Sequence, residues 1–462
     1  MYGGDEVSAI VIDIGSTNVK AGYAGEDQPK AVFSSKVGVL AAPSGQGDGF
    51  IGQAEKTPGD EASAELTNGT SSAPQPVGAA PRSSKKYVVG TSALHFRRDE
   101  MEVISPFEAG LITDWDVAEQ LLEHTFKSRL MVEPSEHPML LAEPSFNNKA
   151  QRDKYCQIMF EKFKCPALFM AKNAVLSAFA FGRSTGVVLD CGGGVTSAVP
   201  VHDGYALTKS IVKSPLAGET LTDHLLQLLE KKYGSLRPNY MFEKKEIKPG
   251  EFQVTAKDFP RTTQSYKRYM QQAIVRDVKE SCCRVSEASF DPSGNQNIPV
   301  AVVDYELPDG TKIGLTTERF LIPEIMFNPS LLYSDGISNG GSEGDAQRAA
   351  SGERPLGVHM MVKEAVNKCD ADIRKDLYNS VIITGGNSSF PAFQDRIQKD
   401  LSEAAPPQLK VKTVQVPSST ERKFSVFIGG SILASLGSFQ QMWMSRQEYE
   451  EHGPALLEKK CP

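Results

Sequence analysis

Asp13-Ile14-Gly15-Ser16-Thr17-Asn18-Val19-Lys20 and, far downstream, Asp190-Cys191-Gly192-Gly193-Gly194-Val195-Thr196 decide the fold. Each stretch follows an apolar run, Val7 to Ile12 and Gly186 to Leu189, that reads as a buried strand. Each then puts an Asp at the strand end and small residues where the chain must turn. Glycine tolerates positive φ and lets backbone N–H groups approach a phosphate closely. Ser16, Thr17 and Lys20 add hydroxyls and a cation for the same anion. Alone, either stretch also reads as a tight hairpin with a charged tip. The pair is harder to dismiss, because the motif recurs 177 positions later (190 − 13 = 177). A third Gly-rich turn, Thr384-Gly385-Gly386, follows the strand-like Ser380 to Ile383. The duplication suggests two similar lobes gripping one polyphosphate, with Asp13 and Asp190 facing a hydrated divalent ion.

Outside these turns, strands and amphipathic helices alternate, which is an α/β pattern. Apolar residues at helical spacing mark Asp116 to Leu130, Lys149 to Phe163, Leu221 to Lys232 and Met270 to Cys283. Strand-like runs are Met139 to Ala142, Val300 to Val303 and Val381 to Thr384. Three breaks interrupt the order. Val37 to Lys86 is rich in Gly, Ala, Ser, Pro and Thr and reads as a mobile excursion. Tyr333 to Arg354 reads the same way, and Gly234 to Pro260 reads as a solvated, charged extension. Gly47-Asp48-Gly49-Phe50-Ile51-Gly52 fits G-x-G-x-x-G but has no strand before it, so it is a false positive. No G-x-x-x-x-G-K-[ST] loop occurs.

The 462 residues allow two to four domains or one large two-lobed body. A net charge of −7 (50 basic, 57 acidic) argues against autonomous DNA or RNA binding, which needs a basic surface. Seven scattered cysteines with no C-x-x-C pair form neither a disulfide framework nor a zinc site, and Cys282-Cys283 reads as helix packing. The acidic start is not a signal peptide, and no apolar run approaches the ~18 residues of a membrane span. An intracellular, reduced protein is expected.

At this point the chain resembles actin, and more closely the fourth class of nuclear actin-related proteins. The carriers include Lys20 to Asp27 (KAGYAGED), Thr113-Asp114-Trp115-Asp116, Gln157 to Glu161, Asp203 to Leu207, Tyr305 to Gly310 and Lys368-Cys369-Asp370. Phe424 to Leu436, continuing into Phe439 to Trp443, extends the likeness to the C-terminal end. The opening Tyr2 to Val7 and Cys191-Gly192-Gly193-Gly194 point to the fourth class. The resemblance implies the two-lobed ATPase fold of four subdomains shared with sugar kinases and Hsp70. Subdomain 1 would take residues 1–34, 106–180 and 425–462, and subdomain 2, with a low-complexity insertion, 35–105. Subdomain 3 would take 181–216 and 335–424, and subdomain 4 residues 217–334.

The resemblance also implies ATP with Mg²⁺ or Ca²⁺ in a central cleft. Gly15, Ser16 and Lys20, with Thr17 nearby, and Gly192, Gly193, Gly194 and Val195 would hold phosphates. Asp13 and Asp190 would order the waters of the metal. Adenosine would lie between Arg276, Lys279 and Glu280, the turn Gly385-Gly386 to Phe390, and Lys423. On the residues alone, Lys279 and Glu280 read as a solvated helix face.

Departures from actin shape the expected function. The Gln and His that order actin's attacking water correspond to Asn173 and Ser197. Asn is one methylene shorter, about 1.5 Å of reach, and Ser cannot act as an imidazole base. Gly193 replaces an acidic residue. The expectation is ATP binding with little or no hydrolysis, and so no enzyme. The insertion at Val37 to Lys86, the break after Leu332 and Ala109 in place of a cleft histidine remove actin's self-assembly contacts, so no homofilament is expected. The apolar groove that receives partner helices is retained at Phe179, Ala180, Gly182, Leu433, Leu436 and Met442, although Leu433 and Leu436 also read as helix core.

The implied role is a structural subunit of nuclear chromatin-remodelling and histone-acetyltransferase complexes. It would clasp a long helix of an ATPase or acetyltransferase scaffold beside actin or another actin-related protein. Histones or the nucleosome are further candidate partners, and no membrane is. The rivals are a cytoskeletal actin-like filament or capping protein with slow hydrolysis, and a sugar-kinase-like phosphotransferase, for which no acceptor-site motif is found.

Overall fold

The computed structural model describes residues 8–41, 85–249, 251–290, 301–334, 355–414, 416 and 418–462. Two mixed sheets of six strands organise the chain. In the first, Ile10–Ile14 pairs antiparallel with Asn18–Tyr23 and parallel with Met139–Glu143. In the second, Gly186–Cys191 pairs antiparallel with Thr196–His202 and parallel with Val381–Thr384. The duplication seen in the sequence is therefore a duplication of topology. Its register is the same: Asp13 faces Lys20, and Asp190 faces Ser197, again 177 positions on (197 − 20 = 177). Both strands run one residue past the Asp, so the carboxylates leave the last turn of the pleat and not the hairpin tip.

Most helices fall where periodicity puts them. Trp115–His124 continues as a π-helix to Leu130, and Lys149–Gln157 does so to Lys162. Asp114 caps the first by accepting from Val117 N at 3.1 Å, and Asn148 caps the second through Gln151 N at 3.0 Å. Gly218–Tyr233 and Gln264–Cys282 are longer than expected. Cys282 and Cys283 are buried free thiols in the second lobe's core, as the packing reading holds.

Three expectations change. Val37–Leu40 and Lys86–Val88 are paired strands, so the first break is narrower than Val37 to Lys86; its remainder, 42–84, lies outside the described residues, as does the Gly47 to Gly52 match. Residues 335–354 of the second break also lie outside them. Gly234 to Pro260 is not a plain extension: Phe242–Lys248 and Glu251–Ala256 form a hairpin. Its alternation was hidden by Lys and Glu on both faces, and Lys244 caps Phe252 with its ammonium 4.5 Å from the ring centre. Of the strand expected at Val300 to Val303, Val300 lies outside the described residues and the described strand is Val303–Glu306, paired with Lys312–Leu315.

Each lobe has its own core. One gathers Ile10, Ile12, Leu121, Leu140 and Phe427; the other gathers Leu189, Leu225, Ile322, Val362 and Ile383. Two smaller clusters join the lobes. Ala174 and Ala178 of helix Asn173–Ala180 pack on Val188, Val199 and Ile382 of the second sheet. Val88, Leu94 and Met101 of the small three-stranded unit pack on Tyr266, Tyr269 and Met270 of helix Gln264–Cys282. A polar seam accompanies the second junction. Thr263 Oγ1 donates to Met101 O at 2.5 Å, Glu100 N to Arg261 O at 2.8 Å, and the Arg97 guanidinium lies 4.3 Å over Phe259. Helix Ser419–Ser435 touches both lobes and lies so close to Leu176 that a Cβ on Gly429 would be 1.8 Å from its carbonyl oxygen. Side chains there would push the helices apart.

Candidate functional site

The carboxyl ends of parallel strands are where open α/β sheets bind ligands, because the loops splay and leave backbone N–H groups free. Here Asp13, Glu143, Asp190 and Thr384 occupy such ends in the two sheets. They surround a cavity of about 550 Å³ between the lobes, within the usual range for a bound small molecule. Every residue implied for nucleotide and metal lines it: Asp13, Gly15, Ser16, Thr17, Lys20, Asp190, Gly192, Gly193, Gly194, Val195, Arg276, Lys279, Glu280, Gly385, Gly386, Phe390 and Lys423.

The two acids differ electrostatically. Asp13 is paired with Lys20 at 2.7 Å, its neighbour in the ladder. Among the described residues Asp190 has only the Asn173 amide at 3.5 Å, the limit of a hydrogen bond. Burial pushes its carboxyl up to about 6, with Lys20 pulling it back and Asp13 pushing it further. A cation would relieve that cost. Lys279 is not on a solvated face: it is buried and donates to Gly218 O at 2.8 Å. Burial, then the Arg276 charge, bring its ammonium down to about 8. Glu280 is exposed at the cavity rim.

The geometry fits a nucleoside polyphosphate with its cation. Among the described residues the N–H groups of Ser16, Thr17, Gly193 and Gly194 have no carbonyl partner. The Thr17 hydroxyl is buried without one. Gly385 has φ +87°, and a Cβ there would lie 2.5 Å from both an Asp190 carboxylate oxygen and Cys191 O. Asn387 Nδ2 donates to Gly192 O at 2.7 Å and so locks this third turn to the second hairpin. The hairpins and Lys20 would hold phosphates, the acids a hydrated cation, and the third turn with Arg276 and Lys423 the nucleoside.

Asn173 and Ser197 both border the cavity. The Asn173 carboxamide oxygen accepts from Ser145 Oγ at 2.6 Å, Ser145 N at 3.0 Å and Ala174 N at 2.8 Å. Ala109 has φ +48° beside Gly110, where a Cβ would lie 2.8 Å from Val195.

Sequence reasoning missed Glu143, Phe146, Gly218, Glu219 and Arg422, which share the wall. Glu143 was findable as an acid ending a strand. It is 1% exposed and held by Arg152 at 3.2 Å and Asn147 at 2.9 Å.

The residues expected to form the groove sit in or just after helices Asn173–Ala180 and Ser419–Ser435, which pack together where Gly429 meets Leu176. Leu436 (41% exposed) and Met442 (43%) are open, Phe179 and Ala180 are half-buried, and Gly182 is exposed at φ +62°. Leu433 is half-buried against the first lobe's core, so its helix-core reading holds in part. Ile432, 40% exposed, was overlooked.

The family model described as Actin matches residues 4–462. Actin-related protein 4 of Arabidopsis thaliana is 50% identical over 462 residues, covering all of both chains. Actin-related protein 4 of Oryza sativa, in subspecies indica and japonica, is 49% identical over the same full length.

Proposed function

Because the chain belongs to the actin family, we propose that it is an ATP-binding, non-polymerising structural subunit of nuclear chromatin-remodelling and histone-acetyltransferase complexes. Members of the family bind nucleotide and a divalent cation. Here ATP with Mg²⁺ would act as a staple between the lobes, with Asp190 facing the cation and the free N–H groups facing the phosphates. The observation that carries the reading is Asn173. Its amide oxygen is already engaged by three donors, so it cannot turn to order an attacking water without breaking them. A water misplaced by about 1 Å costs roughly a hundredfold in rate.

Partner binding falls to the groove around Ile432, Leu436 and Met442, an apolar exposed strip of the kind that receives an amphipathic helix. The scaffold helix would lie beside actin or another actin-related protein. Affinity purification from nuclear extract is the test. Co-purification of a remodelling or acetyltransferase scaffold, lost on Leu436→Asp, is expected. Sedimentation of the pure protein as polymer would favour a cytoskeletal role instead.

A further inference from the structure

Resting on the nucleotide-binding reading above, we propose that Thr17 determines specificity in the cleft: its hydroxyl selects a triphosphate over a diphosphate. The two hairpin tips meet across the cleft with room for glycine only. A Cβ on Gly193 would lie 1.9 Å from Thr17 Oγ1, and one on Gly194 would lie 2.7 Å from Ser16 Cβ. No acidic side chain can therefore stand at 193 while Thr17 keeps its place. The tips then bring together the free N–H groups of both hairpins and the hydroxyls of Ser16 and Thr17.

Thr17 is held in that place. Its carbonyl accepts from Ser35 N at 3.0 Å, while Ser35 Oγ donates to Gly15 O at 2.5 Å, fixing the turn from behind. Its Oγ1 sits against Gly193, so the hydroxyl lies between the tips. Buried and unpartnered in the protein itself, it gains a full hydrogen bond when an anionic oxygen arrives.

Which phosphoryl group reaches it follows from the third turn. Gly385 and Asn387 abut Asp190, Cys191 and Gly192, at the root of the second hairpin, whereas Thr17 meets its tip at Gly193. A nucleotide anchored at the root reaches the tip with its outermost phosphoryl group. A diphosphate is one group shorter and leaves the Thr17 hydroxyl unpaired.

The test is competition of ATP against ADP, each with Mg²⁺, on full-length protein stripped of nucleotide. Thr17→Val keeps the shape and removes the hydroxyl. The ATP-over-ADP preference should fall about 10- to 100-fold, the value of a hydrogen bond to a charged group. Thr17→Ser should keep the preference. Gly193→Ala should weaken both nucleotides by obstructing closure, and adding Thr17→Gly should restore ADP binding without the preference. An unchanged ratio in Thr17→Val, or a ratio lost in Thr17→Ser, overturns the proposal while leaving nucleotide binding intact. Wild-type protein that binds neither nucleotide overturns the proposal and the reading beneath it together.

Discussion

Asp190→Asn raises the melting temperature of the nucleotide-free protein at neutral pH and abolishes the stabilisation conferred by ATP with Mg²⁺. The two effects have opposite signs and one cause. Without ligand, Asp190 is a carboxylate at the cavity floor, with Asn173 at 3.5 Å as its nearest partner and Asp13 repelling it. Burial raises its folded pKa to about 6, above the ordinary aspartate value of 3.8. The protonated form is thus favoured in the folded state. This contribution is fully present below about pH 4 and is lost as pH rises through about 6. Asn, neutral throughout, removes that slope. With ligand, the same charge belongs to the cation's shell. A ligand at about 1,000 times its dissociation constant adds about 4 kcal/mol, and that increment vanishes in the variant. Thermal melts at pH 5 and pH 7.5, with and without MgATP, separate the two. An MgATP shift of wild-type size in Asp190→Asn would contradict the assignment.

Tyr266→Ala, in the cluster that bridges the lobes above helix Gln264–Cys282, speeds nucleotide release at least about a hundredfold while the lobes stay folded. Tyr266 is fully buried against Val88, Leu94 and Met101 of the opposite lobe, and its hydroxyl donates to His95 O at 3.3 Å. Removing a buried aromatic ring costs about 3–5 kcal/mol. The loss falls on the closed state, because opening the cleft exposes this cluster. About 2.8 kcal/mol of it is a factor of a hundred. The exposed pairs of the seam, such as Arg261 with Glu100, contribute little by comparison. Stopped-flow release of a fluorescent ATP analogue is the measurement. Val362→Ala, buried in the second lobe's core and no part of the cavity wall, should lower the melting temperature without altering release. Release from Tyr266→Ala at the wild-type rate would remove the bridging cluster from the account.

The hairpins were legible because their chemistry is local. Asp13 to Lys20 and Asp190 to Thr196 each carry strand, acid and glycine turn within a few residues, and the repeat of 177 betrays the shared topology. Arg276, Lys279 and Lys423 were not legible from spacing. They reach the cavity from distant helices, and only the family resemblance placed them. Periodicity gave Lys279 the wrong surroundings, since a charged residue at a helix position reads as solvated, whereas here it is buried against Gly218. The bridging cluster was invisible for the same reason: Leu94 and Tyr266 are 172 positions apart (266 − 94 = 172), and nothing local in either marks the other. The hairpin Phe242–Lys248 with Glu251–Ala256 was misread because charge density outweighed its alternation.

The most direct test is to extract the nucleotide from freshly purified protein and follow it through hours of incubation with Mg²⁺. The account predicts stoichiometric ATP, bound at the start and still unhydrolysed at the end. An empty cleft, or ATP converted to ADP within minutes in a single turnover, would contradict it.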